Sequence, residues 1–103
     1  MKCRSFNVFF ETIANKTRLK ILEVLQSKPM SVTEICKAVK EEQSKISHNL
    51  KCLADCHFLD VKKQGKKRIY SLNKDTMVPL MKLVTKHVAK YCGKECKLRG
   101  KEK

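Results

Sequence analysis

The sequence predicts one mainly α-helical domain that carries a single β-hairpin. Three observations support this fold class: apolar residues recur at helical spacing in several segments, a capping box opens one of them, and a glycine turn divides a stretch rich in β-branched and aromatic residues. The chain has 103 residues, which is enough for one small domain. Because such a domain buries only about two thirds of the surface exposed by the unfolded chain, we expect a dimer interface to add buried surface.

Two helices are predicted within the first quarter of the chain. The first is indicated by four apolar residues at roughly helical spacing, Phe6, Phe9, Phe10 and Ile13. Asn15 then occupies the position of an N-cap, where its side chain can accept a hydrogen bond from a backbone amide of the first turn. The second helix carries the apolar residues Leu19, Ile21, Leu22 and Leu25.

A helix-turn-helix follows. Ser31 and Glu34 have the spacing of a capping box, which predicts a short helix that reaches about Val39. The polar residues 40–42 leave room only for a tight turn before a second helix from Gln43 to Cys56. On that helix three apolar side chains share one face, Ile46, Leu50 and Leu53.

The composition of the next segment predicts a β-hairpin. The segments Phe58–Lys63 and Arg68–Leu72 have strand-like composition, and Gln64-Gly65 between them supplies a turn. Five positive charges lie around this turn, on Lys62, Lys63, Lys66, Lys67 and Arg68.

A last helix is predicted from a cap at Asp75 or Thr76 to about Cys92, with Gly93 ending it. Its apolar residues are spread over more of the helix surface than a single stripe along one face: Met77, Val78, Leu80, Met81, Leu83, Val84 and Val88. We therefore expect this helix to pack against two surfaces, one of them a partner subunit. The folded domain is expected to span residues 1–92, and residues 93–103 to form a basic, cysteine-containing tail.

Charge indicates the kind of partner. The chain has 24 Lys and Arg against 10 Asp and Glu, a formal net charge of +14, which favours a polyanion. The longest apolar runs, Val8–Phe10 and Met77–Met81, are far too short to cross a membrane or to form a signal-peptide core. We expect a cytoplasmic protein with no membrane partner, in which the six cysteines are thiols, metal ligands or redox sensors.

The second helix of the helix-turn-helix has a polar face opposite its apolar one. A solvated surface helix has the same appearance, but a basic hairpin that directly follows makes nucleic-acid binding the more specific interpretation. The helix fits the major groove of B-DNA, and the hairpin fits the phosphates beside it. The candidate DNA-binding residues are Gln43, Ser44, Lys45, Ser47, His48, Lys51, Lys63, Lys66, Lys67 and Arg68.

Three motifs resemble a known family, the ArsR-type (ArsR/SmtB) winged helix-turn-helix repressors of bacteria and archaea. Residues 13–22 (IANKTRLKIL) resemble its opening signature, residues 44–50 its recognition helix and residues 64–72 (QGKKRIYSL) its wing, and the resemblance covers roughly residues 6–92. It implies a winged helix-turn-helix fold, a homodimer held by the first and last helices, and binding to an imperfect palindromic operator that ends when an effector binds.

The effector branches of this family differ in where their ligands lie. Where the arsenic-sensing branch has thiols, this chain has Ser31 and Thr33, and we interpret the nearby Cys36 as a small core residue. Of the zinc-sensing ligands on the last helix, only His87 has a counterpart here. The segment Cys52-Leu53-Ala54-Asp55-Cys56 resembles the cadmium- and lead-sensing branch, whose third thiolate comes from the C-terminal region.

Two metal sites are therefore candidates. Cys52 and Cys56 share one helical face, so that their thiolates can converge on a soft metal ion with Cys92 or Cys96, although Cys56 can also be a small packing residue. His87, Cys92 and Cys96 form a second candidate group, in which the two thiols can alternatively form a disulfide or have no role. The metal expected is divalent and thiophilic: Zn, Cd or Pb.

The function predicted is that of a dimeric, sequence-specific transcriptional repressor that binds double-stranded DNA and responds to a thiophilic metal or to thiol oxidation. An enzyme is not expected, because the sequence has no phosphate-binding loop, paired catalytic carboxylates or nucleophile arrangement. Two alternatives stay open. One is a winged-helix regulator without a small-molecule effector, and the other is a basic nucleic-acid-binding module with little sequence preference.

Overall fold

The computed structural model describes residues 5–92, and its architecture confirms the mainly helical fold with one hairpin. Within these residues lie five helices and three strands: α1 (Phe6–Ile13), α2 (Lys16–Val24), β1 (Met30–Ser31), α3 (Val32–Val39), α4 (Gln43–Asp55), β2 (Leu59–Gln64), β3 (Lys67–Leu72) and α5 (Met77–Tyr91). No helix in this part of the chain is long and apolar enough to cross a membrane. The predicted tail, residues 93–103, with Gly93 and Cys96, lies outside the described residues.

The helix starts follow the predicted caps. The Asn15 side chain accepts a hydrogen bond from the Arg18 backbone N–H at 3.0 Å, and α2 begins at Lys16, directly after Asn15. At α3 the capping box is complete, because Glu34 N–H donates to Ser31 Oγ at 3.3 Å while Ser31 N–H donates to Glu34 Oε1 at 2.9 Å. Lys40 then ends α3 in the left-handed region, with φ 65°, which produces the tight turn into α4.

The hairpin is displaced by one residue from its predicted turn. Gln64 pairs with Lys67, so the turn consists of Gly65 and Lys66 rather than Gln64 and Gly65. Gly65 has φ 62°, a conformation that glycine adopts without steric cost. The prediction failed because Gln64 suits either a turn or the last position of a strand.

A third strand was not predicted. Met30 and Ser31 form β1, which pairs antiparallel with β3 opposite Tyr70 and Ile69, giving the sheet order β1-β3-β2. Two residues are too few for a periodic pattern, and their pairing depends on a strand that lies about forty positions later in the chain.

Helix α5 begins directly after Thr76, one of the two predicted N-cap residues. The Thr76 side chain makes no capping hydrogen bond. Asn73 Oδ1 instead accepts hydrogen bonds from the N–H groups of Asp75 and Thr76 at 2.9 and 3.3 Å. Its amide nitrogen donates to the carbonyl of His57 at 2.9 Å, which ties the end of α4 to the start of α5.

The core lies between the helices and the sheet and is built from the predicted apolar faces. Seven side chains are fully buried: Ile21, Leu22, Ile35, Ile46, Leu50, Leu53 and Met77. Cys36 packs against this core, as expected for a small core residue. Since Ile46, Leu50 and Leu53 all point inward, the opposite face of α4 must point outward.

A polar network also holds α4 in place. Arg18 Nε donates to Asn49 Oδ1 at 2.8 Å, and Arg18 Nη1 donates to the carbonyl of Thr12 at 3.0 Å. Asn49 is buried on α4, and its amide donates to the carbonyl of Lys45 at 2.9 Å. One guanidinium group thus joins α1, α2 and α4.

Replacing Arg18 with Ala should lower the free energy of unfolding by about 2 kcal/mol, because the buried Asn49 carbonyl oxygen is then deprived of a charged donor. Arg18→Lys should recover little, since an ammonium group cannot reproduce two donors in one plane. Urea denaturation followed by circular dichroism, at one protein concentration, measures this difference. The exposed neighbour substitution Lys20→Ala should stay within about 0.5 kcal/mol of wild type, and an equally small effect of Arg18→Ala would contradict the role assigned to the network.

Candidate nucleic-acid interface

The outward face of α4 carries the polar side chains expected of a groove-reading helix. All six candidate residues on α4 are exposed: Gln43, Ser44, Lys45, Ser47, His48 and Lys51. Two of them form salt bridges with acidic residues one turn away. Lys45 Nζ lies 3.4 Å from Glu41 Oε1, and Lys51 Nζ lies 3.4 Å from Asp55 Oδ2. Exposed pairs of this kind are weak and open readily when a phosphate competes.

The hairpin presents its positive charges at the tip. Lys63 pairs with Arg68 and Gln64 with Lys67, so basic residues stand on both strands next to the two-residue turn. Five basic side chains of the hairpin are exposed: Lys62, Lys63, Lys66, Lys67 and Arg68. We call residues 62–68 the wing.

An open cavity of about 650 Å³ lies between the wing and the helix-turn-helix. Its walls come from the start of α3, from Gln43 at the start of α4, and from Lys66, Lys67 and Arg68 of the wing. Because β1 leads directly into α3 and pairs with β3, these elements form one continuous surface.

Glu34 is the acidic residue of this cavity, and it is engaged in the capping box. The hydrogen bond from the Ser31 backbone N–H lowers the pKa of the Glu34 carboxyl, and the positive charges of Lys28 and Lys67 act in the same direction. The carboxylate is thus ionised at neutral pH and offsets part of the positive charge of the wing.

The cysteines of α4 differ in their surroundings. Cys52 and Cys56 are one helical turn apart and both are partly buried, as their spacing predicts. Cys56 packs against the apolar core, whereas Cys52 Sγ lies 3.9 Å from Nε2 of His48.

The structure does not assemble a complete metal site within residues 5–92, where no group of three His, Cys, Asp or Glu side chains is placed to hold an ion. Cys92 ends α5 and is partly buried, and the exposed His87 stacks with Tyr91 at 4.9 Å between ring centroids. Cys96, the remaining predicted ligand, lies beyond the described residues.

Comparison with known proteins finds a family that part of the chain resembles. Residues 15–61, which run from the cap of α2 into the first strand of the wing hairpin, match the model of the bacterial regulatory proteins of the arsR family. Over this segment, just under half of its length, the chain is similar to the ArsR family.

Two curated relatives illustrate the relationship. The chain is 31% identical over 75 residues to a probable mercury resistance operon repressor of Streptomyces lividans, and the alignment covers 73% of this chain and 60% of the relative. It is 34% identical over 62 residues to the HTH-type transcriptional regulator NmtR of Mycobacterium tuberculosis, covering 60% of this chain and 52% of the relative. The chain thus spans little more than half the length of these relatives.

Solved structures agree in fold. Rv0081 of Mycobacterium tuberculosis superposes with a TM-score of 0.73 at 30% identity, covering 80% of this chain and 83% of that one. HlyU of Vibrio cholerae superposes with a TM-score of 0.71 at 25% identity, covering 82% and 89%. The winged helix-turn-helix predicted from the sequence is therefore confirmed.

Two helices outside the helix-turn-helix, α1 and α5, also leave apolar residues exposed. Helix α5 buries Met77 and Met81 against the core and leaves other apolar residues in solvent. In α1, Phe9 and Ile13 pack against the core but are only partly buried. The exposed apolar residues of the two helices are Phe6, Phe10, Leu83, Val84, Val88 and Tyr91. Phe6 is 83% exposed, an unfavourable state for a large aromatic side chain in a monomer.

Sequence reasoning missed Asn49 and Arg18. Asn49 lies one turn from Lys45 and Leu53 on α4, and the sequence alone suggested no partner for it. The sequence did contain one indication, because Asn49 follows Ile46 by three positions and directly precedes Leu50 on the helix. This position turns the Asn49 side chain toward the core, where its carbonyl oxygen needs a hydrogen-bond donor.

Proposed function

We propose that this protein is a member of the ArsR family and a homodimeric repressor of transcription that binds a specific double-stranded DNA operator. The observation that supports this proposal is the exposed polar face of α4 together with the cavity that Gln43, at the start of that helix, shares with the basic wing. The formal net charge of +14 gives this surface long-range attraction for DNA.

Helix α4 is the element that reads bases. Its 13 residues extend over about 20 Å, and its outward hydroxyl, amide and imidazole groups can donate or accept hydrogen bonds at base edges in the major groove. The buried apolar face and the Arg18–Asn49 bond fix the rotation of α4, so these groups keep one orientation. Fixed orientation is what sequence discrimination requires.

The wing binds phosphates. Its lysines and Arg68 are exposed and lack acidic neighbours on the opposite strand, because Lys63 and Arg68 face each other across the hairpin. Contacts of this kind position the protein and add affinity without reading sequence.

The dimer forms through the exposed apolar residues of α1 and α5. A small domain of this kind gains stability by covering such a surface, and a second copy supplies a matching apolar patch about a two-fold axis. Two α4 helices then read two half-sites, which accounts for a palindromic operator.

The proposed effector is a divalent thiophilic metal, Zn, Cd or Pb. Support comes from the thiols Cys52 and Cys56 on the reading helix, and from relatives named for mercury and arsenical resistance. In this proposal a thiol of Cys92 or Cys96 completes the site, with His87 nearby in sequence, so that the metal links α4 to the C-terminal segment. Binding then favours a dimer geometry that fits DNA less well.

Selection of binding duplexes from a random library, followed by footprinting, tests operator recognition. A protected palindrome is expected, whereas uniform coating of the duplex would indicate a basic module instead. Replacing Ser47 and His48 with Ala should lower the preference for the selected duplex over a scrambled one, by about 1 to 3 kcal/mol for each hydrogen-bonded base that the variant no longer reads. Unchanged preference would remove these residues from base reading.

Replacing Lys67 or Arg68 with Ala should weaken binding to selected and scrambled duplexes alike. The slope of log affinity against log salt concentration should become shallower by about one for each phosphate that is no longer neutralised, because fewer counterions are released. Lys86→Ala, which removes an exposed lysine of α5, is the matched control and should leave the slope unchanged. If the wing variants keep the wild-type slope, the wing does not contact DNA.

Adding Cd(II) to the reduced protein should release the selected duplex, as measured by fluorescence anisotropy. The double substitution Cys52→Ser with Cys56→Ser should abolish this release and spare DNA binding by the metal-free protein, while Cys92→Ser with Cys96→Ser should weaken it. If the Cys52 and Cys56 double variant still releases the duplex at the metal concentrations that act on the wild type, the metal site would be assigned to His87, Cys92 and Cys96 instead. If neither metal nor oxidant changes the binding of the selected duplex, the protein would be a regulator without a small-molecule effector.

A further inference from the structure

We propose that His48 and Cys52 form a two-ligand chelate for a divalent thiophilic metal on the DNA-facing side of α4, and that the bound metal competes directly with base reading. This inference rests on the proposed function, because it assigns a second, exclusive role to a side chain placed among the base-reading residues. In the mechanism given under the proposed function, the metal acts by changing the geometry of the dimer. Here the metal and the DNA compete directly for the same side chain, His48.

The first support is the separation of the donor atoms. Cys52 Sγ and His48 Nε2 are 3.9 Å apart on successive turns of α4. A tetrahedral zinc ion with ordinary Zn–N and Zn–S bond lengths holds its nitrogen and sulfur ligands about 3.6 Å apart. The pair therefore needs to close by only about 0.3 Å to bind an ion, which small rotations of two side chains accomplish.

The second support is the combination of a rigid backbone with open access. Fully buried Ile46 and Leu50 and the bond to Arg18 hold α4 in place, so the chelate geometry is set before the metal arrives. His48 is exposed and Cys52 is only partly buried, which leaves the outer side of the site open to an incoming ion and to water as further ligands.

The third support is the different position of Cys56. Cys52 has a candidate co-ligand one turn before it and another one turn after it, and spacing alone does not separate them. Cys56 lies at the end of α4 and packs against the apolar core, whereas His48 points along the outer face toward Cys52. Packing thus favours His48 over Cys56 as the partner of Cys52.

The consequence for DNA follows from the position of His48 between Ser47 and Lys51 on the exposed face. Coordination holds the imidazole back along the helix, where it no longer reaches a base edge. A divalent ion bound to one thiolate adds a net positive charge, so attraction to phosphates persists. The metal should therefore remove sequence preference while leaving nonspecific affinity largely intact.

Cd(II) titration of the full-length reduced protein tests the chelate. Binding is followed by the thiolate-to-cadmium charge-transfer band, and the imidazole resonances are followed by NMR. The variants are His48→Gln and Cys56→Ser, with His57→Asn as the matched control, because His57 is exposed at the end of α4 with φ 64°, a conformation that Asn tolerates.

The expected result is one Cd(II) per chain, a shift of the His48 imidazole resonances, and affinity that falls by at least about tenfold in His48→Gln. Cys56→Ser and His57→Asn should stay close to wild type. Cd(II) should also lower the ratio of affinities for the selected and scrambled duplexes by about tenfold in wild type, the effect of one well-formed base contact, and should leave that ratio unchanged in His48→Gln.

Wild-type Cd(II) affinity in His48→Gln together with weakened affinity in Cys56→Ser would overturn the inference and leave thiol-based sensing standing. Failure of the whole chain to bind Cd(II) would overturn both the chelate and metal sensing. Neither outcome affects operator recognition, which footprinting of the metal-free protein tests separately.

Discussion

The guanidinium group of Arg18 is the constraint on which the working surface depends. It lies at the meeting point of three helices, donating to a carbonyl at the end of α1 and to the Asn49 side chain in the middle of α4. Apolar packing alone resists the removal of α4 from the core but resists its rotation or sliding less well, because hydrophobic contacts have little directionality. Directional bonds at a buried position set the rotation of α4, and with it the aim of every outward side chain.

Features that depend on near neighbours in sequence could be predicted, and those that depend on distant partners could not. Asn15 and the Ser31–Glu34 capping box act within one helical turn, so their residue types and spacing were sufficient. Strand β1 exists only because Met30 and Ser31 meet β3, and nothing in two residues indicates that meeting. At α5 the N-cap position, Thr76, was among the predicted residues, but the hydrogen bonds that Asn73 makes to the turn before the helix were not predicted.

The same distinction applies to the candidate site. The outward orientation of Ser44, Ser47 and Lys51 follows from the inward orientation of Ile46 and Leu50, because one period determines both faces. The ligand pairing does not follow, because His48–Cys52 and Cys52–Cys56 have identical spacing. Only the packing of Cys56 against the core separates the two pairs, and that packing depends on elements far away in the sequence.

Ser31 belongs to two structures at once, as the last residue of β1 and as the N-cap of α3. The hairpin is therefore anchored in the middle of β3, at Ile69 and Tyr70, while the turn at Gly65 and Lys66 projects beyond the anchor. We therefore expect changes in the length or charge of the tip to leave the pairing of β1 with β3 intact. In the proposed function, this separation leaves the phosphate affinity of the tip free to vary among descendants of such a protein, while the elements proposed to read sequence keep their mutual geometry.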